Sequence, residues 1–177
     1  IATVVWGLML DPYQGLANGF LGVFGIPPQP FLISEHQALW SIIAIATWKG
    51  IAFWMLFLLA GIEEIPSQYY EAAKIDGARP FEKFRFITLP LLKRTILFVF
   101  VADTATNFVL MVPMIILTKG GPMQSTNVLA FEAYRSGFYY QDWGRSLSII
   151  SILTIISLIV IGLQLLFLGE NKEDRVK

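Results

Sequence analysis

The sequence contains no cysteine and only one histidine, His36. The missing thiols exclude disulfide bonds and thiolate metal sites, and a single imidazole is too few for a histidine-based metal cluster. Charged residues make up 15% of the chain and their formal charges cancel, so no overall field attracts nucleic acid. The composition therefore disfavours a metalloprotein and a nucleic-acid-binding protein.

Apolar residues, in contrast, are abundant. They form 55% of the chain, and the mean hydropathy of +0.62 is high for a soluble domain. A membrane-spanning helix needs about 20 predominantly apolar residues. Residues 38–62, 95–118 and 147–168 satisfy this requirement, and residues 1–10 are interpreted as the end of a further span. We therefore predict an all-α, polytopic membrane helical bundle. Because the chain starts inside an apolar run, we expect residues 1–177 to be the C-terminal part of a domain whose N-terminal part is missing.

Basic residues are distributed unevenly between the predicted spans. Six lie in the connection 63–94 and three in the tail after Gly169, whereas the opposite side has Lys119, Arg135 and Arg145. Short cytoplasmic segments of membrane proteins are enriched in Lys and Arg. We therefore predict that the connection 63–94 and the C-terminus are cytoplasmic.

The connection 63–94 contains the charged stretch EAAKIDGARPFEKFRFITLP at residues 71–90. Pro66 and Ser67 predict the start of a helix capped by Ser67, and Gly77 predicts its end. Pro80 predicts the start of a second helix, which Pro90 is expected to end. Charge and helicity alone fit equally well a helix pair that lies on anionic lipid.

The spacing of particular residues in this stretch resembles a known family. Glu71-Ala72-Ala73, Gly77, Ile87 and Leu89-Pro90 resemble the EAA loop of the permease subunits of binding-protein-dependent ABC importers. The surrounding segments resemble the carbohydrate-uptake branch, which includes maltose and glycerol-phosphate permeases. Transporters of this branch contain two paired permease subunits, and the Gly120-Gly121-Pro122 motif resembles that of the first of them.

The resemblance implies a fold, partners and a docking site. The fold would be the ABC importer permease core with a cytoplasmic two-helix coupling loop at residues 63–94, in the prokaryotic cytoplasmic (inner) membrane. The partners would be two ATP-binding cassette subunits, a second homologous permease, an extracytoplasmic solute-binding protein and membrane lipid. ATP and magnesium would bind to the partner ATPase, so this chain would bind no cofactor and catalyse no reaction. The residues expected to dock on the ATPase are Glu71, Ala72, Ala73, Asp76, Gly77, Ile87, Leu89 and Pro90.

Four residues inside the predicted spans are candidates for a translocation path: Lys49, Trp54, Asp103 and Asn107. Intramembrane charges rarely face lipid, so Lys49 and Asp103 are expected to face protein or water. Alternatively, the long side chain of Lys49 extends to the membrane boundary. Trp54 could alternatively serve only to pack against its neighbours. Asp103 and Asn107 share a helix face, and hydrogen bonding to another helix is an equal alternative for both.

Two other function classes remain as alternatives. An ion-coupled secondary carrier would use Asp103 and Lys49 to bind the coupling ion, and the charged loop would then lie on lipid. A membrane-embedded enzyme is disfavoured by the single histidine, the missing cysteine and the lack of a convergent acid pair. The leading hypothesis is the transmembrane subunit of an ATP-driven importer for a sugar or sugar-like solute.

Overall fold

The structure is a computed structural model that describes residues 1–168, and within this range it contains helices and connections but no β-strand. The predicted all-α fold is therefore confirmed. Two short helices come first, α1 (Ala2–Met9) and α2 (Leu16–Val23), and a 3-10 turn at Phe31–Ile33 follows them. The predicted basic tail, with Lys172, Arg175 and Lys177, lies outside the described residues.

Two long helices are separated by a series of shorter ones. The long helices are α3 (Ala38–Glu63) and α8 (Trp143–Leu168). Between them lie α4 (Ser67–Ile75), α5 (Pro80–Lys83), a π-helical turn at Phe84–Thr88, α6 (Leu89–Phe108), a π turn at Met114–Thr118, α7 (Leu129–Tyr134) and a π turn at Arg135–Tyr139.

Two of the described helices, Ala38–Glu63 and Trp143–Phe167, are long and apolar enough to cross a membrane by length and composition. The first coincides with the segment 38–62 within one residue, and the second begins four residues before the segment 147–168. Neither contains proline, so each continues as one helix across its apolar stretch.

The structure of the apolar segment 95–118 differs from the single span expected there. α6 begins at Leu89 and ends at Phe108, and residues 109–111 are not helical. Pro113 explains the interruption, because its ring would clash with the carbonyl of residue 109 and it has no N–H to donate. The chain is therefore non-helical for about one turn shortly before Pro113.

The chain divides into two compact units. The first comprises residues 1–50 and 106–156, and its core is the buried cluster of Ile42, Met114 and Phe131. Further apolar side chains pack against this cluster: Met111, Ile115, Val128 and Tyr134.

The second unit contains residues 51–105 and the part of α8 from Ser157. Within it, α3 and α6 run antiparallel and approach closely near the connection 63–94. Gly61 is buried, and a Cβ atom on it would lie 2.8 Å from Leu92 Cδ1 and from Thr95 Oγ1. One turn further from the connection, the rings of Phe57 and Phe98 are 5.7 Å apart.

Candidate functional site

The first helix of the charged connection, α4, begins directly after a proline. Pro66, with φ −58°, is the N-cap, and Ser67 is the first helical residue. The predicted capping role of Ser67 is wrong, because this residue is already helical and α4 has no side-chain cap. Glu71 and Ala72 are exposed on this helix, whereas Ala73 is half-buried.

The turn after α4 is built on the left-handed backbone of Gly77. Its φ is +76°, the Gly77 N–H donates to Lys74 O at 3.2 Å, and the Ala78 N–H donates to Ala73 O at 2.9 Å. This hydrogen-bond pair is a Schellman motif, which closes a helix by pairing its last carbonyls. The predicted helix end at Gly77 is confirmed, and the motif leaves Asp76 and Gly77 exposed.

The second helix of the connection begins at Pro80, as predicted. The Arg79 N–H donates to Glu82 Oε2 at 2.6 Å, so the Glu82 carboxylate satisfies one of the unpaired amides at this helix start. Pro80 itself needs no hydrogen bond, since the N–H groups of the first turn have no helical partner.

This helix does not end at Pro90. α5, the π turn and α6 form one uninterrupted helix over residues 80–108, so the prediction that Pro90 ends it is wrong. Proline cannot donate and its ring conflicts with the carbonyl four residues earlier. In the π turn the Leu89 N–H bonds to Phe84 O, five residues back, and this wider turn shifts the hydrogen bonding next to the proline.

One side-chain hydrogen bond joins the two helices of the connection. The hydroxyls of Tyr70 on α4 and Thr88 on the π turn are 2.9 Å apart, and Thr88 is buried. The expected docking residues accordingly form two groups. Glu71, Ala72, Ala73, Asp76 and Gly77 lie on α4 and its terminal turn, whereas Ile87, Leu89 and Pro90 lie where the second helix becomes α6.

Exposed apolar side chains accompany the polar docking residues, and the sequence analysis did not select them. Ile75 is 87% exposed immediately before the Gly77 turn, and Phe81 is exposed on the next helix. Isolated exposed apolar residues are ordinary, but two of them beside an exposed turn form a surface that a protein partner can cover. The available signal was an isoleucine one residue before an acidic C-cap in an otherwise polar helix.

Among the intramembrane candidates, the structure brings Trp54 and Asp103 together. The Trp54 Nε1–H donates to Asp103 Oδ1 at 2.6 Å, which links α3 to α6 within the second unit. The interhelical alternative therefore describes the geometry of Asp103. The Trp54 ring also packs against Phe53 and Phe57, at centroid distances of 4.8 and 5.7 Å.

The neighbouring position on α6 makes a second interhelical bond. Gln164 on α8 donates from Nε2 to Thr104 Oγ1 at 2.7 Å, and the Thr104 hydroxyl donates to Phe100 O at 2.8 Å. Sequence reasoning missed this pair. The signal was a glutamine inside the apolar run of α8, a residue type that seeks a partner within a membrane.

Lys49 and Asn107 lie outside the second unit. Both are exposed, and both belong to the first unit, whereas Trp54 and Asp103 belong to the second. The four candidates therefore do not form one site within either unit.

A buried carboxylate outside the predicted sites organises the first unit near α7. Glu132 accepts hydrogen bonds from Arg135 Nη2 at 2.5 Å, Arg145 Nη2 at 2.6 Å and Asn127 Nδ2 at 2.9 Å. The Arg135 guanidinium also lies over the Tyr140 ring, at 5.6 Å from its centroid. The three-residue spacing of Glu132 and Arg135 predicts their ion pair on one helix face. The contact with Arg145 depends on the fold and not on local spacing.

The pKa of Glu132 reflects opposing effects. Burial of the carboxyl raises this pKa, but the hydrogen bond from Asn127 and the positive charges of Arg135 and Arg145 outweigh burial. The pKa of Glu132 therefore lies below its ordinary value, and the carboxylate stays ionised in its arginine cluster at neutral pH.

Comparison with known proteins identifies the family. The family model for the "binding-protein-dependent transport system inner membrane component" matches residues 2–173. The chain belongs to this family. The resemblance deduced from the EAA loop is thereby confirmed, and so is the permease fold.

Similar curated proteins are named as permease proteins of transport systems. The chain is 35% identical over 177 residues to the trehalose/maltose transport system permease protein MalF of Thermococcus litoralis, covering 98% of this chain and 58% of that protein. It is 34% identical over 172 residues to the sn-glycerol-3-phosphate transport system permease protein UgpA of Agrobacterium fabrum, covering 97% of this chain and 58% of that protein. The chain thus spans little more than half the length of these relatives.

A solved structure shows the same fold. The bacterial alginate ABC transporter in complex with an alginate pentasaccharide-bound periplasmic protein contains a chain that matches with a TM-score of 0.82. The identity is 24%, and the match covers 93% of this chain and 58% of that one. The helical arrangement of this inner membrane component therefore agrees with that of a solved transporter chain.

Proposed function

We propose that the chain is part of the membrane-spanning subunit of an ATP-driven importer that moves a sugar or sugar-like solute into the cell by alternating access. The observation that carries this proposal is the geometry of residues 63–94. An exposed, Schellman-closed turn at Gly77 presents Glu71, Ala72 and Asp76, and the helix that follows continues without interruption into α6. A partner that moves this turn would therefore move α6 directly.

The proposed partners follow from the loop and from the family. Two ATP-binding cassette subunits would dock on residues 71–90 and would bind ATP and magnesium, while this chain would hydrolyse nothing. A second, homologous permease would complete the path, and an extracytoplasmic binding protein would deliver the solute. The alginate transporter, whose chain has the same fold, is described with a bound periplasmic protein, which supports the last of these partners.

The proposed substrate class rests on the relatives. Their names specify trehalose, maltose and sn-glycerol 3-phosphate, all small and rich in hydroxyl groups. Trp54, Lys49, Asp103 and Asn107 remain proposed lining residues, because aromatic rings stack on sugars and intramembrane polar groups line solute paths. For Asp103, the bond from Trp54 is a structural role that is compatible with lining.

The proposed location is the prokaryotic inner membrane, with the connection 63–94 and the C-terminus on the cytoplasmic side. Family membership supports the membrane, and the basic residues of residues 63–94 support the orientation.

Co-purification tests the docking surface. The full-length chain is produced with its second permease and ATPase, and Glu71→Lys and Gly77→Val are compared with Glu35→Lys, an equal charge change at an exposed residue outside the loop. We expect both loop variants to lose the ATPase and ATP-driven uptake of labelled maltose, trehalose or sn-glycerol 3-phosphate, and the control to retain them.

The same preparation distinguishes the ATP-driven importer from the alternative, an ion-coupled secondary carrier. An ion-coupled carrier would take up solute in vesicles without ATPase, driven by an ion gradient, and would be indifferent to Glu71→Lys. Uptake of that kind, or undiminished ATPase binding by both loop variants, would refute the proposed function.

A further inference from the structure

We infer that Trp54, Asp103, Thr104 and Gln164 form an interhelical clamp that makes α3, α6, α8 and the docking loop move as one body within the second unit. This inference rests on the proposed function, because it concerns how a movement of the loop would reach the membrane helices. The four residues would be positioning residues, since they act through the helices that they join.

The contact between α3 and α6 has three successive levels. Gly61 lies against Leu92 and Thr95 next to the loop, Phe57 lies against Phe98 one turn away, and Trp54 is bonded to Asp103 beyond them. Each step along α3 away from the loop meets a later residue of α6. The two helices are therefore in register over this whole length.

Helix α8 contacts α6 at the same level as the bond between Trp54 and Asp103. Thr104 follows Asp103 on α6 and accepts from Gln164 on α8, so adjacent α6 residues hold different neighbours. All four side chains are half-buried. A displacement of α6 at this level would therefore be shared with both α3 and α8.

Hydrogen bonds are the interactions that can fix this register in a membrane. Apolar helix contacts gain little in lipid, because lipid tails are as apolar as Phe57 and Phe98, and such contacts can slide. A side-chain hydrogen bond is directional and fails when the helices shift by about 1 Å beyond its usual length of about 2.9 Å. The side-chain hydrogen bonds would thus fix the helix register, which the contact between Phe57 and Phe98 does not fix.

The loop end of this assembly is tied as well. Residues 80–108 form one helix, and the hydroxyls of Tyr70 and of Thr88, the last residue of the π turn before α6, form a hydrogen bond. A movement of α4 would therefore be transmitted through the hydrogen bond to Thr88, and then along α6 to Asp103 and Thr104.

Distance measurements between spin labels test the clamp without a transported solute. Residues 1–177 contain no cysteine, and any cysteine elsewhere in the full-length chain is first replaced. Labels are then placed on exposed residues outside the docking residues 71–90, by Gln68→Cys with Ile51→Cys for α3, and by Gln68→Cys with Leu166→Cys for α8. The full-length chain, assembled with cysteine-free partner permease and ATPases in nanodiscs, is measured without nucleotide and with ATP and vanadate. We expect both distance distributions to stay unchanged between the two states.

Variants then remove the clamp. Trp54→Phe keeps an aromatic ring but loses the donor, and Gln164→Met keeps the length of the side chain but loses the amide. We expect the first to make the Ile51 distance, and the second the Leu166 distance, depend on nucleotide. Asp103→Asn, which keeps an acceptor oxygen, should behave like the parent. Ser151→Ala, which removes a hydroxyl that donates to Leu147 O within α8 itself, is the matched control.

Two results would overturn the clamp. One is a distance that depends on nucleotide in the parent protein, an outcome that can be measured even if the variants do not fold. The other is a distance that stays independent of nucleotide in both Trp54→Phe and Gln164→Met. Loss of the ATPases from the parent complex during purification would instead refute the proposed function, and this is known before any distance is measured.

Discussion

At the scale of single residues, Gly77 is the position where local geometry depends most on side-chain identity. A Cβ atom on Gly77 would have no neighbour within 4 Å, so space does not require glycine. The requirement comes from φ +76°, where a Cβ approaches its own backbone carbonyl. Substitutions at Gly77 therefore test backbone strain alone.

We expect Gly77→Ala to destabilise the turn by about 1–2 kcal/mol and to weaken ATPase binding, because alanine resists the left-handed conformation. Gly77→Asn should be milder, since asparagine enters this conformation more readily than other residues. Titration of purified ATPase against the permease complex measures both. An asparagine variant as weak as the alanine variant would show that the partner, and not φ, excludes a side chain.

Glu132 provides a prediction for pH. Because its folded-state pKa is lowered, its ionisation stabilises the fold above the ordinary pKa of 4.5, and this contribution is lost as the pH falls through the lowered value. Glu132→Gln should unfold more easily at neutral pH, and its stability should change less than the parent's as the pH falls below 4.5. Thermal unfolding of the detergent-purified protein between pH 7 and pH 3 measures this. Parallel curves for the two proteins would contradict the assignment.

At the scale of helices, the closest approach is that of α3 and α6 at Gly61. A side chain there would meet Thr95, whose β-branched side chain has little rotational freedom. We expect Gly61→Ala to be mildly and Gly61→Val strongly destabilising, by about 1–3 kcal/mol for the larger residue. Melting temperatures measure the series, with Gly162→Val as control, because nothing lies within 4 Å of a Cβ there. Equal losses at both glycines would remove the packing explanation.

The helices also show how far prediction from sequence reaches. Uninterrupted apolar runs predict α3 and α8 closely, and Gly77 and Pro80 predict the loop turn, because these signals are local. Pro90 and Pro113 have the same local signal and opposite outcomes. A π turn precedes Pro90 and keeps the helix intact, whereas the non-helical residues 109–111 separate α6 from the helical segment that contains Pro113. The partners of Asp103 and Glu132 depend on residues far along the chain, which no spacing rule specifies.

At the scale of the whole molecule, the distribution of basic residues predicts one orientation of the chain in the membrane. We expect Asp76→Cys and Lys177→Cys in the full-length protein to react with a membrane-impermeant maleimide only in inside-out vesicles. Gln141→Cys should react only in right-side-out ones. Residues 1–177 contain no cysteine, so once any cysteine elsewhere in the full-length chain is replaced, each label is unambiguous. Reaction of Asp76→Cys from outside would reverse the proposed orientation.

The π turn at Phe84–Thr88 controls the direction in which the docking loop faces. Each residue of an α-helix turns the chain by about 100°, and a π turn holds one residue more than an α turn. If one residue of this turn were deleted and the helix became regular, the loop would rotate by about 100° around the axis of α6. Its exposed turn would then point away from any partner that fits it now. That one additional residue therefore sets the azimuth of the loop, a property that the composition of the loop itself does not determine.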